Sequence, residues 1–217
     1  MDIKIFFEDE NIIVALKPAG IPVQPDKTGD EDMLTMLCNK TNINNIGLIH
    51  RLDRPVGGIM VFSKNKKTEA ILSKLMSENK IKKTYIAVVY GEIPENGTMK
   101  DYIIKNSRLN TSSIVNSNVK GAKEAILHYE RLAVKNDSEL GTISLVKINL
   151  ETGRHHQIRV QFANKGFALV GDQKYGNKRT RKRINIALFS GGLSFKLYDN
   201  NMEFFEMPIS YPFNIFD

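Results

Sequence analysis

Residues 49–58 form a charged, Pro- and Gly-containing stretch that runs directly into an apolar segment, and this stretch constrains the fold more than any other. Asp53 stands in it between Arg51 and Arg54, and one Pro and two Gly follow. Pro fixes its own φ and Gly adopts backbone conformations that other residues avoid, so a shaped loop is predicted. Residues 59–62 are apolar and partly β-branched, which is typical of a buried strand. The sequence therefore predicts a carboxylate in a loop that enters the core.

The two arginines bear on the chemistry open to Asp53. A nearby guanidinium lowers the pKa of a carboxyl group and keeps it ionised. An ionised Asp in a shaped loop suits a nucleophilic or charge-stabilising role. The alternative is an Asp that only forms a loop salt bridge, and the spacing alone slightly favours that alternative.

Composition places the chain among soluble globular proteins. Its 217 residues are enough for a sizeable core in one domain, with 41% apolar and 25% charged residues. No apolar run reaches the length of a membrane span, and the acidic N-terminus lacks the long apolar region of a signal peptide. A cytoplasmic protein is expected. The single Cys38 excludes an intramolecular disulfide and a multi-cysteine metal site.

The charge is basic and unevenly distributed. The formal net charge is +7, and seven lysines stand between positions 64 and 83 against Glu69 and Glu78. A second cluster contains six basic residues and no acid, namely Lys174, Lys178, Arg179, Arg181, Lys182 and Arg183. Clustered positive charge is what binding to a phosphate backbone needs. A solvated face explains either cluster alone equally well, but two clusters around a candidate site favour RNA.

Hydrophobic periodicity predicts an α+β fold. Expected helices are a short one capped by Asp30, one capped by Asn65 that runs to about residue 79, and one over 155–164. Expected strands cover 3–7, 12–16, 59–62, 84–90, 125–134, 142–150, 167–170, 185–189, 193–198 and 202–207. Residues 107–120 are expected to form a flexible loop, and Glu95-Asn96-Gly97 a hairpin turn. We predict one domain over 1–217, with a mixed, mainly antiparallel central sheet flanked by helices and loops.

Three stretches in a fixed order resemble one family. His50-Arg51-Leu52-Asp53 resembles the H-R-L-D signature of the RluA-type RNA pseudouridine synthases. Lys83-Thr84-Tyr85-Ile86-Ala87-Val88-Val89-Tyr90-Gly91 and Thr152-Gly153-Arg154-His155-His156-Gln157-Ile158-Arg159-Val160 resemble its next two motifs. The opening Lys17-Pro18-Ala19-Gly20 is similar to the family's K-P-x-G. The resemblance implies the pseudouridine synthase fold, with a catalytic domain over 1–217 and without the S4 domain that family members often carry.

The resemblance also implies a reaction. Pseudouridine formation breaks the bond between uracil N1 and C1′, turns the base and rejoins it through C5, without cofactor or metal. The target uridine must first leave its stack. The implied catalytic residues are Asp53, Tyr85 and Arg159. Asp53 attacks C1′ or helps to expel the base, Tyr85 stacks on the flipped base, and Arg159 pairs with Asp53. By periodicity alone, a core Tyr on a strand is the favoured interpretation of Tyr85, and the alternative for Arg159 is a surface residue of the helix.

Ribosomal or transfer RNA is the implied partner, and no protein partner is implied. The expected RNA contacts are Arg51, Arg54, Arg154, His155, Lys178, Arg179, Arg181, Lys182 and Arg183. Arg51 supports the loop or fills the gap left by the base, and Arg154 replaces Arg159 or contacts phosphate. His155 and His156 contact RNA or cap the helix that follows them. Neither forms an H-E-x-x-H pair, so a metal site is not expected.

The chain departs from the family pattern at three places. Val56-Gly57-Gly58 stands where most members end in T-S-G, Gln161 stands where they often have His, and Ala187-Leu188-Phe189-Ser190 replaces a pattern that commonly includes His. None of these removes Asp53, Tyr85 or Arg159. The departures therefore bear on the substrate more than on the chemistry.

Other functions explain less of the sequence. A non-catalytic RNA-binding protein explains the charge but does not need the three catalytic residues together. A glycoside hydrolase usually needs two carboxylates, for which Asp172 is the candidate second acid. A metal nuclease needs clustered acids, and the sequence has no such cluster. An RNA pseudouridine synthase is the function that the sequence favours.

Overall fold

The computed structural model of the protein describes residues 3–176 and 184–216. Five residues predicted to contact RNA lie outside the described residues, namely Lys178, Arg179, Arg181, Lys182 and Arg183. The chain divides into two compact units. The first unit contains Met1–Lys83 and Phe189–Met207, and the second unit contains Thr84–Leu188 and Pro208–Asp217.

Strands dominate both units. The strands are β1 (Ile5–Glu8), β2 (Ile12–Lys17), β3 (Gly47–Leu48), β4 (Gly57–Ser63), β5 (Lys82–Tyr90), β6 (Asn96–Asn106), β7 (Thr111–Val115), β8 (Lys123–Asp137), β9 (Gly141–Leu150), β10 (Leu188–Leu197) and β11 (Asn200–Phe205). The helices are α1 (Met33–Thr41), α2 (Lys66–Ser77) and α3 (Gln157–Asn164), and a 3₁₀ turn covers Phe213–Phe216. No helix in the described part of the chain is long and apolar enough to cross a membrane.

The sheet of the first unit is mixed. Strand β2 pairs antiparallel with β1 and with β4, and β11 pairs antiparallel with β10. The start of β4 pairs in parallel with β10, where Gly57 faces Phe189 and Gly58 faces Ser190. One parallel pair among antiparallel ones confirms the predicted α+β fold with a mixed, mainly antiparallel sheet.

Alternating apolar residues build the core of the first unit. Every residue of β4 is buried, and Ile59 and Val61 pack in a cluster with residues of β2 and β10. Helix α2 covers this cluster with Leu72. Its cap is Asn65, whose side chain accepts the N–H of Thr68, as the sequence predicted.

Helix α1 begins two residues later than predicted. Its cap is Asp32, whose side chain accepts the N–H of Thr35. Asp30 is instead engaged by Arg54 and by the hydroxyl of Thr28. Asp30 and Asp32 both precede the apolar positions of the helix, so either could act as the cap. The prediction of Asp30 was wrong because Arg54 pairs with Asp30.

In the second unit the strands lie in the order β5, β9, β8, β6 and β7. Strands β8 and β9 pair antiparallel, as predicted, with an irregularity between Arg131 and Ala133. The predicted hairpin turn at 95–97 was wrong, because Asn96 and Gly97 begin β6 and pair with β8. These residues do not turn the chain, because pairing of β6 with β8 holds them in an extended conformation.

The predicted flexible loop over 107–120 was also wrong, because it contains β7. Strand β7 pairs antiparallel with β6 along its whole length. Its Ser112 is 3% exposed, and the burial of this polar side chain hides the strand from a hydrophobic pattern. Hydrogen bonds to Tyr175 and His155 satisfy the buried Ser112.

Three further features differ from prediction. Residues 167–170 form a single bridge between Leu169 and Val89 where a strand was predicted. One strand, β10, replaces the two strands predicted over 185–189 and 193–198, and residues 185–187 precede it. Helix α3 starts at Gln157 and not at 155, because His156 before it has a left-handed φ of 54°.

Candidate active site

The Asp53 loop lies in the first unit between β3 and β4, and it leads into a buried strand, as predicted. Asp53 is half-buried, Leu52 is buried and Arg51 is exposed. The N–H of Val56 donates to the carbonyl oxygen of Asp53 at 2.9 Å and closes a turn. The loop thus presents the Asp53 carboxylate from a hydrogen-bonded backbone that leads directly into a buried strand.

A buried cation fixes the backbone of this loop. Lys17 is fully buried, and its Nζ donates to the carbonyl oxygens of Val56 at 2.8 Å, Arg54 at 3.1 Å and Pro18 at 2.9 Å. Burial lowers the pKa of Lys17 to about 8, against the negative charge of Asp53, which raises it, while Arg54 lowers it further. Sequence reasoning gave Lys17 no role, and its only signal was the K-P-x-G resemblance.

Arg54 ties the loop to the segment that precedes α1. Its Nε donates to the carbonyl oxygen of Gly20 at 2.9 Å, and its Nη1 donates to Thr28 at 3.0 Å. Its Nη2 forms an ion pair with Asp30. Arg54 therefore has a structural role, and its predicted contact with RNA stays a prediction.

His50 connects the start of the signature to β4. The backbone N–H of Val61 donates to Nε2 of His50 at 3.3 Å, so this nitrogen carries no proton. Burial and the charge of Lys83 lower the pKa of His50 to about 4. His50 is therefore neutral at neutral pH. It accepts the N–H of Val61, the residue of β4 next to the two that pair with β3.

Gly58 is the glycine that the chain shares with the family's T-S-G, and the backbone of Ser190 leaves no room for a side chain there. Gly58 has a φ of +134°, and a Cβ on it would lie 2.4 Å from the backbone N and O of Ser190. Only Gly has this conformation without strain and allows this approach. The Val56-Gly57 departure lies beside it in buried backbone, since Val56 is 2% exposed.

Arg159 and Asp172 form a buried ion pair in the second unit. The guanidinium Nε donates to Oδ2 and Nη2 donates to Oδ1, both at 2.8 Å. Burial alone would raise the pKa of the Asp172 carboxyl, but the hydrogen bonds and charge of Arg159, with two backbone N–H groups, bring it below its ordinary value. The surface alternative for Arg159 was wrong, since it is 4% exposed. Its predicted pairing with Asp53 stays a prediction.

A polar network surrounds this ion pair. The hydroxyl of Tyr175 lies 2.7 Å from Nδ1 of His156 and accepts the N–H of Ser112 at 2.7 Å. The rings of His155 and His156 stack with centroids 3.7 Å apart, and Nε2 of His155 lies 3.0 Å from Asn110. His156 occupies the cap position of α3 but its side chain makes no cap hydrogen bond, so the capping alternative was wrong for it.

The remaining predicted residues of the second unit lie on β5 and before α3. Tyr85 is 8% exposed on β5. Arg154 is exposed, and its Nε donates to the carbonyl oxygen of Glu124 at 2.8 Å. Their predicted roles toward RNA stay predictions.

The lysine cluster over 64–83 is partly neutralised. Lys66 pairs with Glu69 at 2.7 Å, and Lys80 pairs with Glu78 at 2.7 Å. Lys64 pairs with Glu8 at 2.8 Å. Exposed pairs of this kind are weak, but they reduce the positive field that an RNA phosphate would meet.

Gln161 is a core residue. It is fully buried, and its Nε2 donates to Asp101 at 2.7 Å and to the carbonyl oxygens of Met99 and Ala125 at 3.3 Å. Gln161 therefore packs beneath β6 and β8, and the predicted bearing of this departure on the substrate stays a prediction.

Solved structures define the class of fold. The structure matches "Human RNA Pseudouridylate Synthase Domain Containing 1" with a TM-score of 0.84 at 21% identity, over 97% of this chain and 85% of that one. It matches "Human RNA Pseudouridylate Synthase Domain Containing 4" with a TM-score of 0.78 at 21% identity, over 94% and 88%. The fold is that of the pseudouridylate synthase domains.

The family follows from sequence. A family described as RNA pseudouridylate synthase matches residues 11–164. Ribosomal large subunit pseudouridine synthase D of Buchnera aphidicola (subsp. Baizongia pistaciae) is 35% identical over 86% of this chain and 58% of that protein. tRNA pseudouridine synthase C of Haemophilus ducreyi is 32% identical over 85% and 78%. The chain belongs to the RNA pseudouridylate synthase family, which confirms the resemblance seen in its motifs. It spans less than two thirds of the length of the first of these relatives.

Proposed function

We propose that this protein is an RNA pseudouridine synthase that converts a specific uridine of ribosomal or transfer RNA to pseudouridine. The observation that carries the proposal is the Asp53 loop. Asp53, the last residue of the family signature, lies in a backbone that Lys17 holds and that the N–H of Val56 closes. Catalysis gains from a group that is held in place before the substrate arrives.

The reaction assigns a role to each predicted catalytic residue. Asp53 attacks C1′ or assists departure of the base, and both routes break the N1–C1′ bond. The base turns, C5 bonds to C1′, C5 loses its proton and N1 gains one, so atoms balance without a cofactor. Tyr85 stacks on the flipped base, and Arg159 is the proposed partner of Asp53.

A glycoside hydrolase is less well supported. It usually needs one carboxyl group that stays protonated to act as an acid. Asp172, the candidate for that role, has a lowered pKa and accepts two hydrogen bonds from Arg159. An ionised carboxylate in a buried ion pair is a poor proton donor.

The proposal also covers the substrate, the domain organisation and the location of the enzyme. The relatives' names include both a ribosomal and a transfer RNA enzyme, so both substrates are retained. We further propose that residues 1–217 act as one catalytic domain, because the family match over 11–164 includes residues of both units. We propose a cytoplasmic enzyme that needs no protein partner, cofactor or metal.

The experiment compares pseudouridine positions in total RNA with and without the gene, and then repeats the conversion with purified protein. Release of tritium from uridine labelled at C5 reports turnover, because C5 loses its hydrogen. Wild type should release tritium from the RNA identified in cells, and Asp53→Asn should release none. RNA affinity should change by no more than a few-fold.

Asp199→Asn is the matched control, because Asp199 is an exposed acid of the same unit in the turn before β11. It should convert uridine at the wild-type rate. RNA binding without tritium release by wild type, in every RNA fraction, would favour the non-catalytic RNA-binding protein. Turnover by a clean Asp53→Asn preparation would remove Asp53 from the chemistry.

A further inference from the structure

The guanidinium of Arg159 is held along one edge. Its Nε and Nη2 donate to the two oxygens of Asp172, which engages two of the five N–H donors of the group in a parallel pair. Such bidentate pairs fix the plane of an arginine as well as its position. The side chain of Asp172 is fully buried, so water does not compete for these bonds.

Asp172 is itself held by the turn in which it lies. Its Oδ1 accepts the backbone N–H of Lys174 at 2.9 Å and of Tyr175 at 3.2 Å. The preceding Gly171 has a φ of +75°, and a Cβ there would lie 2.4 Å from the carbonyl oxygen of Asn185. The carboxylate therefore has a set orientation that depends on the backbone from Gly171 to Tyr175.

The same turn supplies a contact to the face of the guanidinium. The Cζ of Arg159 lies 5.3 Å from the centroid of the Tyr175 ring, within the range of a cation–π contact. The Tyr175 hydroxyl is fixed by the N–H of Ser112 and by His156. One short turn thus holds the edge and the face of the same arginine.

We propose that Asp172 and Tyr175 are positioning residues that set the orientation of Arg159 for the reaction. Neither is assigned a contact with the substrate. The proposal rests on the proposed function, since it concerns how Arg159 serves Asp53 chemistry. Arg159 belongs to a motif that the proposed reaction uses, and it is nevertheless buried and paired with Asp172. A positioning role for Asp172 explains this arrangement.

The hold of Asp172 and Tyr175 on the Arg159 guanidinium is called the clamp. The first test measures the clamp without using activity. The Nε–H of Arg159 should give a slowly exchanging NMR signal in wild type, because it is buried and bonded to Asp172. The signal should exchange faster in Asp172→Asn, and it should disappear in Arg159→Met, which assigns it. A rapidly exchanging Nε–H in wild type would overturn the clamp.

The second test measures turnover. A displacement of about 1 Å in a catalytic group can cost about 100-fold in rate. Asp172→Asn keeps the size of the side chain, and we expect its single-turnover rate to fall by roughly 10- to 100-fold, with RNA affinity within a few-fold. Tyr175→Phe, which keeps the ring, should lose less than Tyr175→Leu. Thermal melting of each variant is followed in parallel.

A double-mutant cycle separates positioning from general structural damage. If Asp172 acts through Arg159, Asp172→Asn should slow turnover little further in an Arg159→Met background. Rate losses that multiply would show that Asp172 acts independently and would overturn the proposal, as would a wild-type rate in Asp172→Asn. An intact slow Nε–H signal in a wild type that converts no uridine would instead refute the proposed function and leave the clamp standing.

Discussion

The Nζ of Lys17 lies 2.8 Å from the carbonyl oxygen of Val56, although the two residues are 39 positions apart in the chain. The same Nζ reaches the carbonyl oxygen of Arg54. Lys17 therefore fixes the backbone carbonyl groups of the first and third residues after Asp53. A buried charge is costly unless its donors are satisfied, and three carbonyl oxygens satisfy this one.

Lys17→Met should lower the free energy of unfolding by about 1–3 kcal/mol at pH 7, because the carbonyl groups of Arg54 and Val56 lose a buried donor. Urea unfolding measures the change. Lys27→Met is the control, since Lys27 is exposed in the same unit, and it should have almost no effect. Equal stability of the two variants would show that the contacts of Lys17 contribute nothing net.

The stability contributed by Lys17 should also depend on pH. Its folded pKa of about 8 lies below the ordinary value of 10.5, so between these values the unfolded chain holds more protons than the folded one. Stability therefore rises with pH across that window. The difference in unfolding free energy between wild type and Lys17→Met should grow from pH 8 to pH 10.5. A flat difference would contradict the lowered pKa.

His50 should make the protein sensitive to acid. Its folded pKa is about 4 against an ordinary 6.5, so the unfolded chain binds the extra proton first as the pH falls. Its contribution is complete above pH 6.5 and decreases between 6.5 and 4, by at most about 3 kcal/mol. His50→Gln keeps an acceptor for the N–H of Val61 and should unfold with a flatter dependence on pH in this window. Parallel curves for the two proteins would refute the assignment.

Gly58→Ala should be severely destabilising. A positive φ costs an L-residue about 1–2 kcal/mol, and the new Cβ would also meet the backbone of Ser190. Gly121→Ala is the matched control, since Gly121 has a φ of +88° with nothing within 4 Å of its Cβ position. The excess loss in Gly58→Ala isolates the steric contact between β4 and β10. Equal losses in the two variants would mean that the backbone relaxes to admit the methyl group.

Local signals in the sequence predicted part of this structure. The cap at Asn65 and the Asp53 loop were predicted correctly because caps, Pro and Gly act on their immediate neighbours. Strand β7 was missed because Ser112 is buried through hydrogen bonds to Tyr175, 63 residues away. The burial of Arg159 was missed for the same kind of reason, since it depends on Asp172 in another turn. Periodicity reports which positions are apolar, and it does not report which polar groups find partners inside.

The basic segment that lies outside the described residues should contact phosphate. Neutralising Lys178, Arg179, Arg181, Lys182 and Arg183 together should weaken RNA binding and flatten its salt dependence. Each lost contact with single-stranded RNA should change the slope of log affinity against log salt by roughly 0.7. The control neutralises Lys66 and Lys74, which lie on α2 and pair with Glu69 and Glu78, and it should change the slope less. An unchanged slope in the fivefold variant would show that these five residues do not contact RNA phosphates.

Arg159 should control the pH dependence of turnover. Loss of a positive partner makes a carboxylate harder to ionise, so the residual rate of a neutral variant should need higher pH than wild type. Arg159→Met alone leaves the buried Asp172 without its charge partner, which typically costs about 3–5 kcal/mol. The rate is therefore measured in Arg159→Met/Asp172→Asn, where both charges are removed and the fold is less disturbed.

Arg159→Lys restores a positive charge but lacks the planar pair of donors, so it should recover the rate only partly. The measurement is the single-turnover rate against pH for wild type, Arg159→Lys and the double variant, each checked by thermal melting. The expected order of rates at neutral pH is wild type, Arg159→Lys and then the double variant, with the pH profile of the last displaced upward. A double variant that reacts at the wild-type rate with an unshifted profile would show that Arg159 is structural, and Arg154 would then become the candidate partner of Asp53.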